Sequence, residues 1–344
     1  MSEKKNPAIV CCRTVSMLMI VLCHIVSNYT FIPGHGSVSQ ILNVGVYSFL
    51  VISGYLYGGK TIPNFGIWFR KRCVTVILPA FIVVSSVLIA EFCVGEKHNA
   101  FSVIVYLLNL QGLGFLLPGF YRYFSEILVL GPLWFITVIM LCYCMVPVLQ
   151  RGRQKLYKWK HVYAIAVGVT VVCYIVALTT GINAVYFLTF AVGYYLSARN
   201  YQFSPRKSES VIFTLLMLGT QILRLVMRTM HDGTPVYQTY TLISHMVLGI
   251  WFVWFFLVFN QMLPKLTSRF AERKWMVAAN DISFYVYLTH YCFCRGRLDM
   301  YQLTDNLFVA TIGFTAATLI SAIVLKGIVT FIQRNLLARF CAST

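Results

Sequence analysis

Two ionisable residues, Arg13 and His24, lie within the first apolar segment of the chain. Such groups are costly inside a membrane, by about 2.5–3.5 kcal/mol for an arginine at a helix centre, so each indicates a function. Their spacing of eleven residues corresponds to about 16 Å along a helix and places both on nearly the same face. A neutral imidazole can accept a proton from a hydroxyl group, so His24 is a candidate general base. The alternative for His24 is a packed histidine bonded to a backbone carbonyl.

Three consecutive cations, Arg70, Lys71 and Arg72, follow the second apolar segment and precede Pro79, which closes the block at the next helix. Guanidinium and ammonium groups bind phosphate oxygens through charge-assisted hydrogen bonds. Three cations in this loop could therefore hold the phosphates of a cytoplasmic, nucleotide-bearing donor. The alternative is an ordinary basic flank, because lysine and arginine collect in the cytoplasmic loops of membrane proteins.

Polar and charged residues also occur in later apolar segments. Tyr287 and His290 are three residues apart and share a helix face, where they could line a cavity or form interhelical hydrogen bonds. Arg224 and Arg228 are four residues apart, toward the outer half of their segment. They could attract an anionic acceptor, or they could extend their charged ends to the membrane interface.

Small and aromatic residues mark two further positions. Gly45 and the run Ser53-Gly54-Tyr55 bring small residues to the second apolar segment. Small residues let membrane helices approach closely, so they predict helix packing there. Trp134 lies near the outer start of its segment, a position typical of the aromatic belt at a membrane interface.

The composition indicates that membrane helices position these residues. Of 344 residues, 59% are hydrophobic and 11% are charged, against roughly 25% charged in an ordinary soluble domain. The net charge of +18 fits basic cytoplasmic loops and anionic lipid, so no nucleic-acid partner is expected. The 11 cysteines lack the spacing of a zinc site and no H-E-x-x-H motif occurs, so no metal is expected.

We predict an all-α, polytopic membrane protein with about ten transmembrane helices, both termini cytoplasmic, and one domain over residues 8–340 without a separate soluble domain. The predicted spans are 8–27, 42–58, 73–92, 131–149, 162–180, 183–198, 211–228, 241–260, 278–294 and 307–326. Residues 99–117 are interrupted by polar residues, glycines and a following proline, so we expect an interfacial or re-entrant piece on the outer side that does not span. This choice places most lysines and arginines on the cytoplasmic side, as the positive-inside rule predicts.

Five blocks, in order along the chain, resemble the acyltransferase-3 family of integral membrane acyltransferases. Arg13, ten residues and His24 resemble the R-x10-H signature of its first helix, and Gly45 to Tyr55 is similar to G-x-x-x-F-F-x-x-S-G-Y. The other three blocks are Phe69-Arg70-Lys71-Arg72 leading to Pro79, Leu133-Trp134-Phe135 with Tyr143 and Pro147, and Ser283-Phe284 with Tyr287, Leu288 and His290. Together the blocks span residues 13–290.

The sequence departs from the family pattern at two places. A basic residue usually stands three or four positions before the proline of the third block, where this chain has Thr75 and Val76. The departure leaves Arg70 and Arg72 to do more of the donor binding. Some branches carry a glutamate five residues after the tryptophan of the fourth block. Here that position is Ile139, so the chain resembles the shorter, single-domain branch.

The resemblance implies an O-acyltransferase, usually an O-acetyltransferase, in the cell membrane. Its donor would be cytoplasmic acyl-coenzyme A, usually acetyl-coenzyme A, and its acceptor a hydroxyl of a surface or secreted glycan or a lipid-linked saccharide. Membrane lipid is the other expected partner. In this interpretation His24 is the catalytic base, either directly or through an acyl-histidine. The donor-binding residues would be Arg13, Arg70, Lys71 and Arg72, and the acceptor or cavity-lining residues Ser53, Trp134, Tyr287 and His290.

Two other functions fit the same apolar segments. One is a transporter or flippase of a glycan or lipid intermediate, which would also explain intramembrane charges. Against it, the two halves of the chain lack a matched pair of helices broken by glycine or proline. The other is a subunit of a biosynthetic complex with a degenerate site, an interpretation that Thr75 keeps open.

Overall fold

The computed structural model of the chain describes residues 6–29, 33–117, 127–156, 162–198 and 207–341. Within these ranges the regular structure is helical and contains no strand, which confirms the all-α prediction. The α-helices are α1 Pro7–Asn28, α2 His35–Leu42, α3 Val44–Gly58, α4 Phe65–Arg72, α5 Leu78–Cys93, α6 Ala100–Leu107, α7 Leu113–Leu116, α8 Trp134–Leu156, α9 Val162–Thr180, α10 Val185–Ala198, α11 Lys207–His231, α12 Pro235–Met262, α13 Pro264–Ala271, α14 Lys274–Thr289 and α15 Leu307–Cys341. A π-helix, Cys73–Ile77, and two 3-10 helices, Leu128–Leu133 and His290–Phe293, lie between some of them.

Among the described residues, seven helical stretches are long and apolar enough to cross a membrane, so the chain is a polytopic membrane protein. They are Pro7–Asn28, His35–Gly58, Phe65–Cys93, Val129–Arg153, Lys207–His231, Pro235–Met262 and Leu307–Asn335. Two shorter apolar stretches are Val167–Thr180 and Val185–Ser197. The predicted number of ten spans stays a prediction. Residues 1–5 and 342–344 lie outside the described residues, and the cytoplasmic placement of both termini also stays a prediction.

Residues 99–117 form two short helices rather than a span. Helix α6 has eight residues and α7 has four, so the longer one measures about 12 Å, far less than the membrane core of about 30 Å. The chain turns at Asn109, whose φ is 54°. The Thr137 hydroxyl on α8 donates to the Asn109 carbonyl at 2.6 Å and accepts the Gly112 N–H at 2.9 Å. These bonds satisfy the interrupted backbone, in agreement with the prediction that this stretch does not span.

The described chain divides into two compact units. Unit 1 comprises Met1–Pro63 and Cys144–Asp281, and unit 2 comprises Asn64–Tyr143 and Ile282–Thr344. Each unit therefore combines an earlier and a later stretch of the chain. The single transmembrane domain predicted over residues 8–340 stays a prediction.

Helix α3 lies at the centre of unit 1, where α1, α10 and α12 pack against it. Glycines set its distance from α10. A Cβ atom on Gly54 would lie 2.1 Å from the Phe190 carbonyl oxygen, and one on Gly193 would lie 2.1 Å from the Val51 carbonyl oxygen. Real Cβ atoms do not approach so closely, so only glycine permits this backbone contact. The helix packing predicted from the small residues of this segment is confirmed.

Glycines also permit the close contacts of α3 with α1 and α12. A Cβ atom on Gly45 would lie 2.4 Å from the Ser16 carbonyl oxygen, and one on Gly249 would lie 2.6 Å from Tyr47 Cβ. Beside the Gly45 contact, the buried hydroxyls of Ser16 and Ser48 are hydrogen-bonded at 2.8 Å. Apolar side chains of all three helices fill the space between them: Ala8, Ile9, Cys12, Val51, Ile52, Val253 and Leu257.

In unit 2 the basic segment that was expected to be a loop is helical, so that expectation is wrong. The Asn64 side chain caps the start of α4, and the helix continues through the π-helix Cys73–Ile77 into α5. Pro79 has no N–H and cannot continue the usual i→i−4 ladder. The π-helix absorbs this irregularity through the wider bond from the Leu78 N–H to the Cys73 carbonyl. The three cations therefore belong to the last turn of α4.

We expect Gly54→Leu to destabilise the protein by about 1–3 kcal/mol, because the added atoms meet backbone that cannot rotate away. The measurement is the thermal unfolding midpoint of the purified protein in detergent. Gly219→Leu on α11 is the matched control, since no atom lies within 4 Å of its Cβ position. Equal midpoints for the two variants would contradict the close contact of α3 with α10.

Candidate functional site

Helix α1 carries both Arg13 and His24 without a break. It begins at Pro7, a residue suited to the first helical position, and the Asn6 side chain caps its first turn. Both candidate side chains are partly buried, and the Ser27 hydroxyl donates to the His24 carbonyl at 2.7 Å. Because the helix is continuous, Arg13 and His24 are about 16 Å apart along its axis and lie on nearly the same face.

Arg13 lines a cavity of about 420 Å³ at the end of unit 1 where α1 begins and α3 ends. A second cation, Lys60, lines the same cavity just beyond α3. Neutral polar groups and apolar side chains complete the described lining: Asn6, Ile9, Val10, Tyr55, Leu56, Gly59, Ser197 and Asn280. Two cations together with hydroxyl and amide donors form a site that can bind a phosphate group.

Hydrogen bonds from α8 fix the segment that follows α3 and carries Lys60. The Gln150 side chain accepts the Ile62 N–H at 3.1 Å and donates to the Ile62 carbonyl at 3.5 Å. Arg153 donates to the Gly58 carbonyl at the end of α3, at 3.3 Å. These contacts fix both ends of the short segment that carries Lys60. The position of that cation therefore depends on α8 as well as on α3.

The structure places the other two candidates of unit 1 away from this lining. Ser53 is partly buried on α3, and its neighbour Tyr55, rather than Ser53, lines the Arg13 cavity. His24 is also not among the described residues that line it. Arg13 is therefore brought together with Tyr55 and Lys60, while His24 lies further along α1.

The cations Arg70, Lys71 and Arg72 occupy the last turn of α4 in unit 2. Arg70 and Lys71 are exposed, whereas Arg72 is partly buried. The Arg72 guanidinium carbon lies 5.9 Å from the centre of the Trp68 ring, a cation–π contact. The Trp68 ring in turn packs edge-on against Tyr143, with centroids 5.6 Å apart. Two of the three cations, Arg70 and Lys71, are therefore accessible to an anionic ligand.

Tyr287 and His290 are buried in unit 2 beside the start of α8. The Tyr287 hydroxyl donates to the Pro132 carbonyl, and its ring packs edge-on against Phe135, which also contacts Trp134. His290 follows the end of α14, and its Nδ1 lies 2.8 Å from the Tyr287 carbonyl. Since a carbonyl only accepts, Nδ1 carries the hydrogen and Nε2 is the acceptor of the neutral ring. Phe135 thus links Trp134 to Tyr287, and Tyr287 in turn contacts His290.

A second cavity, of about 650 Å³ in unit 2, was not anticipated from the sequence. Its walls combine apolar residues of α5 and α6 with Glu96, Lys97 and His98. His98 Nε2 lies 2.7 Å from a Glu91 carboxylate oxygen. Glu96 forms an exposed ion pair with Arg297, which lowers the pKa of Glu96. This ion pair stabilises the folded state at a pH above the ordinary pKa of a glutamate. The stabilisation is lost as the pH falls through the lowered pKa of Glu96.

The matched family settles the class of this protein. A family model for an acyltransferase domain, acyltransferase-3, matches residues 6–326. The chain belongs to the acyltransferase-3 family. It is therefore a membrane acyltransferase, in agreement with its apolar helices. Comparisons with curated proteins and with solved structures found no match. In the part of the acyltransferase that the structure describes, no three His, Cys, Asp or Glu residues form a group that could hold a metal ion.

Lys60, Ser197 and Asn280 line the Arg13 cavity of this acyltransferase but were not among its predicted site residues. They come from separate parts of the chain, and no motif contains them, so only the folded structure brings them to one cavity. The one available signal was the position of Lys60, five residues after Tyr55 and just beyond the end of an apolar segment. The assignment of individual residues to donor and acceptor stays a prediction.

We expect Gln150→Ala to loosen the segment that carries Lys60, because it removes the two hydrogen bonds to Ile62. Exchange of backbone amides with deuterium should become about 30-fold faster at residues 59–62, as expected for two bonds worth about 1 kcal/mol each. Gln238→Ala is the matched control, because Gln238 bonds to the Gly233 carbonyl in an exposed turn. Unchanged exchange at residues 59–62 would show that α8 does not hold this segment.

Proposed function

We propose that this acyltransferase transfers an acetyl group from acetyl-coenzyme A, bound from the cytoplasm, to a hydroxyl of a surface or secreted glycan or its lipid-linked precursor. It would act as a multi-pass protein of the cell membrane. The observation that carries the proposal is the Arg13 cavity, whose two cations and neutral polar groups suit the phosphates of a nucleotide-bearing donor. Membership in the acyltransferase-3 family supports acyl transfer itself.

The donor would bind with its phosphates at the Arg13 end of α1. Arg13 and Lys60 would supply the charge inside the cavity, and Tyr55 and Ser197 would supply hydroxyl donors. The exposed cations Arg70 and Lys71 of α4 stay predicted donor-binding residues on the strength of the family resemblance. Arginine suits this role because its planar group binds two phosphate oxygens at once, whereas lysine acts as a point charge.

His24 would act on the acceptor. Its imidazole would take the proton from the acceptor hydroxyl as the oxygen attacks the thioester carbonyl. The tetrahedral intermediate would then expel the thiolate of coenzyme A, and the proton on His24 would pass to that sulfur. The products are the acetyl ester and free coenzyme A. An acyl-histidine intermediate gives the same products in two steps.

We expect His24→Ala to lower acetyl transfer by about 10²–10⁴-fold, the usual contribution of a general base. The measurement is thiol release from acetyl-coenzyme A by the purified protein, with a cell-glycan extract as acceptor and succinyl-coenzyme A as second donor. His24→Gln is a second variant in case alanine disturbs folding, and His231→Ala, at an exposed position beyond the apolar part of α11, is the matched control. Equal rates for wild type and both His24 variants would refute its role.

The same assay separates the remaining functions. Folded wild-type protein that releases no thiol with either donor would favour a transporter or a degenerate subunit of a biosynthetic complex. Loss of the gene product without a change in the acyl content of cell glycans would favour the degenerate subunit. Thiol release that depends on the glycan extract would exclude both.

We expect Arg13→Gln to raise the KM for acetyl-coenzyme A by about tenfold, since hydrogen bonds between charged groups contribute about 1.5–3 kcal/mol. The decisive comparison is with S-acetylpantetheine, which carries the thioester but no nucleotide phosphate. Its KM should be the same for wild type and Arg13→Gln. Lys60→Gln should behave like Arg13→Gln, and Arg269→Gln, at an exposed position of α13, is the matched control. An equal rise in KM for both donors would contradict phosphate binding by Arg13.

A further inference from the structure

A cation is buried inside unit 1 without an ionic partner in the described structure. Arg224 on α11 is 1% exposed, so it does not extend to the membrane interface. Its Nη1 donates to Gln40 Oε1 on α2 at 2.8 Å, while Nε and Nη2 are buried and donate to no described atom. Gln40 Oε1 is thus the nearest acceptor for this guanidinium, and it also accepts a hydrogen bond from the Tyr237 hydroxyl at 3.2 Å.

The nearby His245 does not offer Arg224 a hydrogen-bond acceptor. His245 Nε2 lies 2.7 Å from the Gln40 carbonyl oxygen, so this nitrogen must carry a hydrogen and donate it. It therefore cannot accept from Arg224 Nη1, which lies 3.5 Å away. The His245 ring is itself stacked on Tyr47, with centroids 5.5 Å apart. The polar groups around Arg224 are thus uncharged, and they already form hydrogen bonds to one another: His245 and Tyr237 each bond to Gln40.

A second cation extends this cluster toward the start of α2. Arg228 lies one turn after Arg224 on the same face of α11 and is partly buried. Its Nη1 donates to the Ser37 hydroxyl at 2.6 Å, and its Nη2 lies 2.9 Å from the Cβ position of Gly36. Helix α2 begins here, at the positive end of its dipole. Positive charge from two arginines and from a helix N-terminus is therefore concentrated at this place.

No carboxylate in the described residues offsets this charge. In the described part of the chain, the side-chain partners of Arg224 are Gln40 and His245 and that of Arg228 is Ser37, and none of them is a carboxylate. A buried charge is stable only when it is paired and hydrogen-bonded. An oxyanion would supply the missing acceptors, because a carboxylate or phosphate binds a guanidinium through two parallel bonds.

The cluster and His24 lie toward the same end of unit 1. The Ser16–Ser48 hydrogen bond and the Gly45 contact align Ser16 with the first turn of α3. His24 is eight residues further along α1, about 12 Å beyond that turn, and α2, which directly precedes α3, also packs against α1. Helix α2 also provides Ser37 and Gln40 to the two arginines. The Arg13 cavity is at the opposite end of α3.

We propose that Arg224 and Arg228 bind the carboxylate or phosphate of the acceptor, so that the natural acceptor is an acidic saccharide. This inference rests on the proposed function for the identity of the ligand, while the anion site itself rests on the geometry of unit 1. The anion would bind beside α2, toward the same end of unit 1 as His24, and would hold a neighbouring hydroxyl near the imidazole.

The test of the anion site is binding, measured by thermal unfolding of wild-type protein in nanodiscs of phosphatidylcholine. Glucuronate and inorganic phosphate are the probes, and glucose at equal concentration is the neutral control. We expect at least one of the anions, but not glucose, to raise the unfolding midpoint of wild type, as binding to the folded state requires. Arg224→Gln and Arg228→Gln should weaken this binding by about tenfold or more. Arg269→Gln should not, because it removes an exposed charge elsewhere in unit 1.

Equal responses to the anions and glucose, or equal responses of wild type and Arg228→Gln, would overturn the proposal. Arg228→Gln decides the matter if Arg224→Gln fails to fold, because Arg228 is only partly buried. Nanodiscs that contain phosphatidylglycerol identify the competing source of phosphate. Stabilisation of wild type but not Arg228→Gln by this lipid, with no further effect of the anions, would make the site a lipid headgroup site and overturn the acceptor assignment.

A second arm measures acetyl transfer to a glucuronate-containing oligosaccharide and to the same oligosaccharide after reduction of its carboxyl groups. Wild type should prefer the acidic form by about tenfold in kcat/KM, and Arg228→Gln should lose the preference through KM rather than kcat. Transfer to both forms at equal rates would refute the acidic acceptor and leave the proposed function intact. Anion binding by folded wild-type protein that also releases no thiol with the cell-glycan extract would refute the proposed function and leave the anion site intact.

Discussion

The close approach of α3 to its neighbours is the constraint on which unit 1 depends. Lipid tails are as apolar as leucine, so burial of apolar side chains alone does not hold membrane helices together. Close van der Waals packing and interhelical hydrogen bonds supply the attraction, and Gly45, Gly54, Gly193 and Gly249 permit close packing at three helix crossings. Because α1 and α10 are both fixed against α3, residues from all three helices can converge on one cavity.

The same packing decides where charge can lie. Inside a closely packed unit an arginine cannot relax far, so its neighbours determine whether its charge is supported. Arg13 has a cavity with polar walls, whereas Arg224 has one amide oxygen and a histidine that donates elsewhere. The space around each arginine matches the size of its proposed ligand. A cavity suits a large donor, and a tight cluster suits the small charged group of an acceptor.

The sequence contained the local part of this arrangement. Hydropathy located the principal spans, the spacing of Arg13 and His24 required only a continuous helix, and the small residues predicted packing at Gly54. It did not contain what depends on distant segments: the convergence of Lys60 with Arg13, or the contact of Gln40 with Arg224. The helical course of the basic segment was also missed, because proline usually ends a helix and here a π-helix accommodates it.

The geometry of α1 relates the two proposed ligands to each other. If the donor phosphates bind at Arg13, the thioester must reach His24, about 16 Å further along the helix. The acceptor anion would bind at the opposite end of α3, whose 15 residues span about 22 Å. An acceptor held there does not need to pass the length of α3, whereas the extended arm of coenzyme A can follow α1 toward it. The proposed arrangement therefore moves the acetyl group toward the acceptor, and His24 lies where the two would meet.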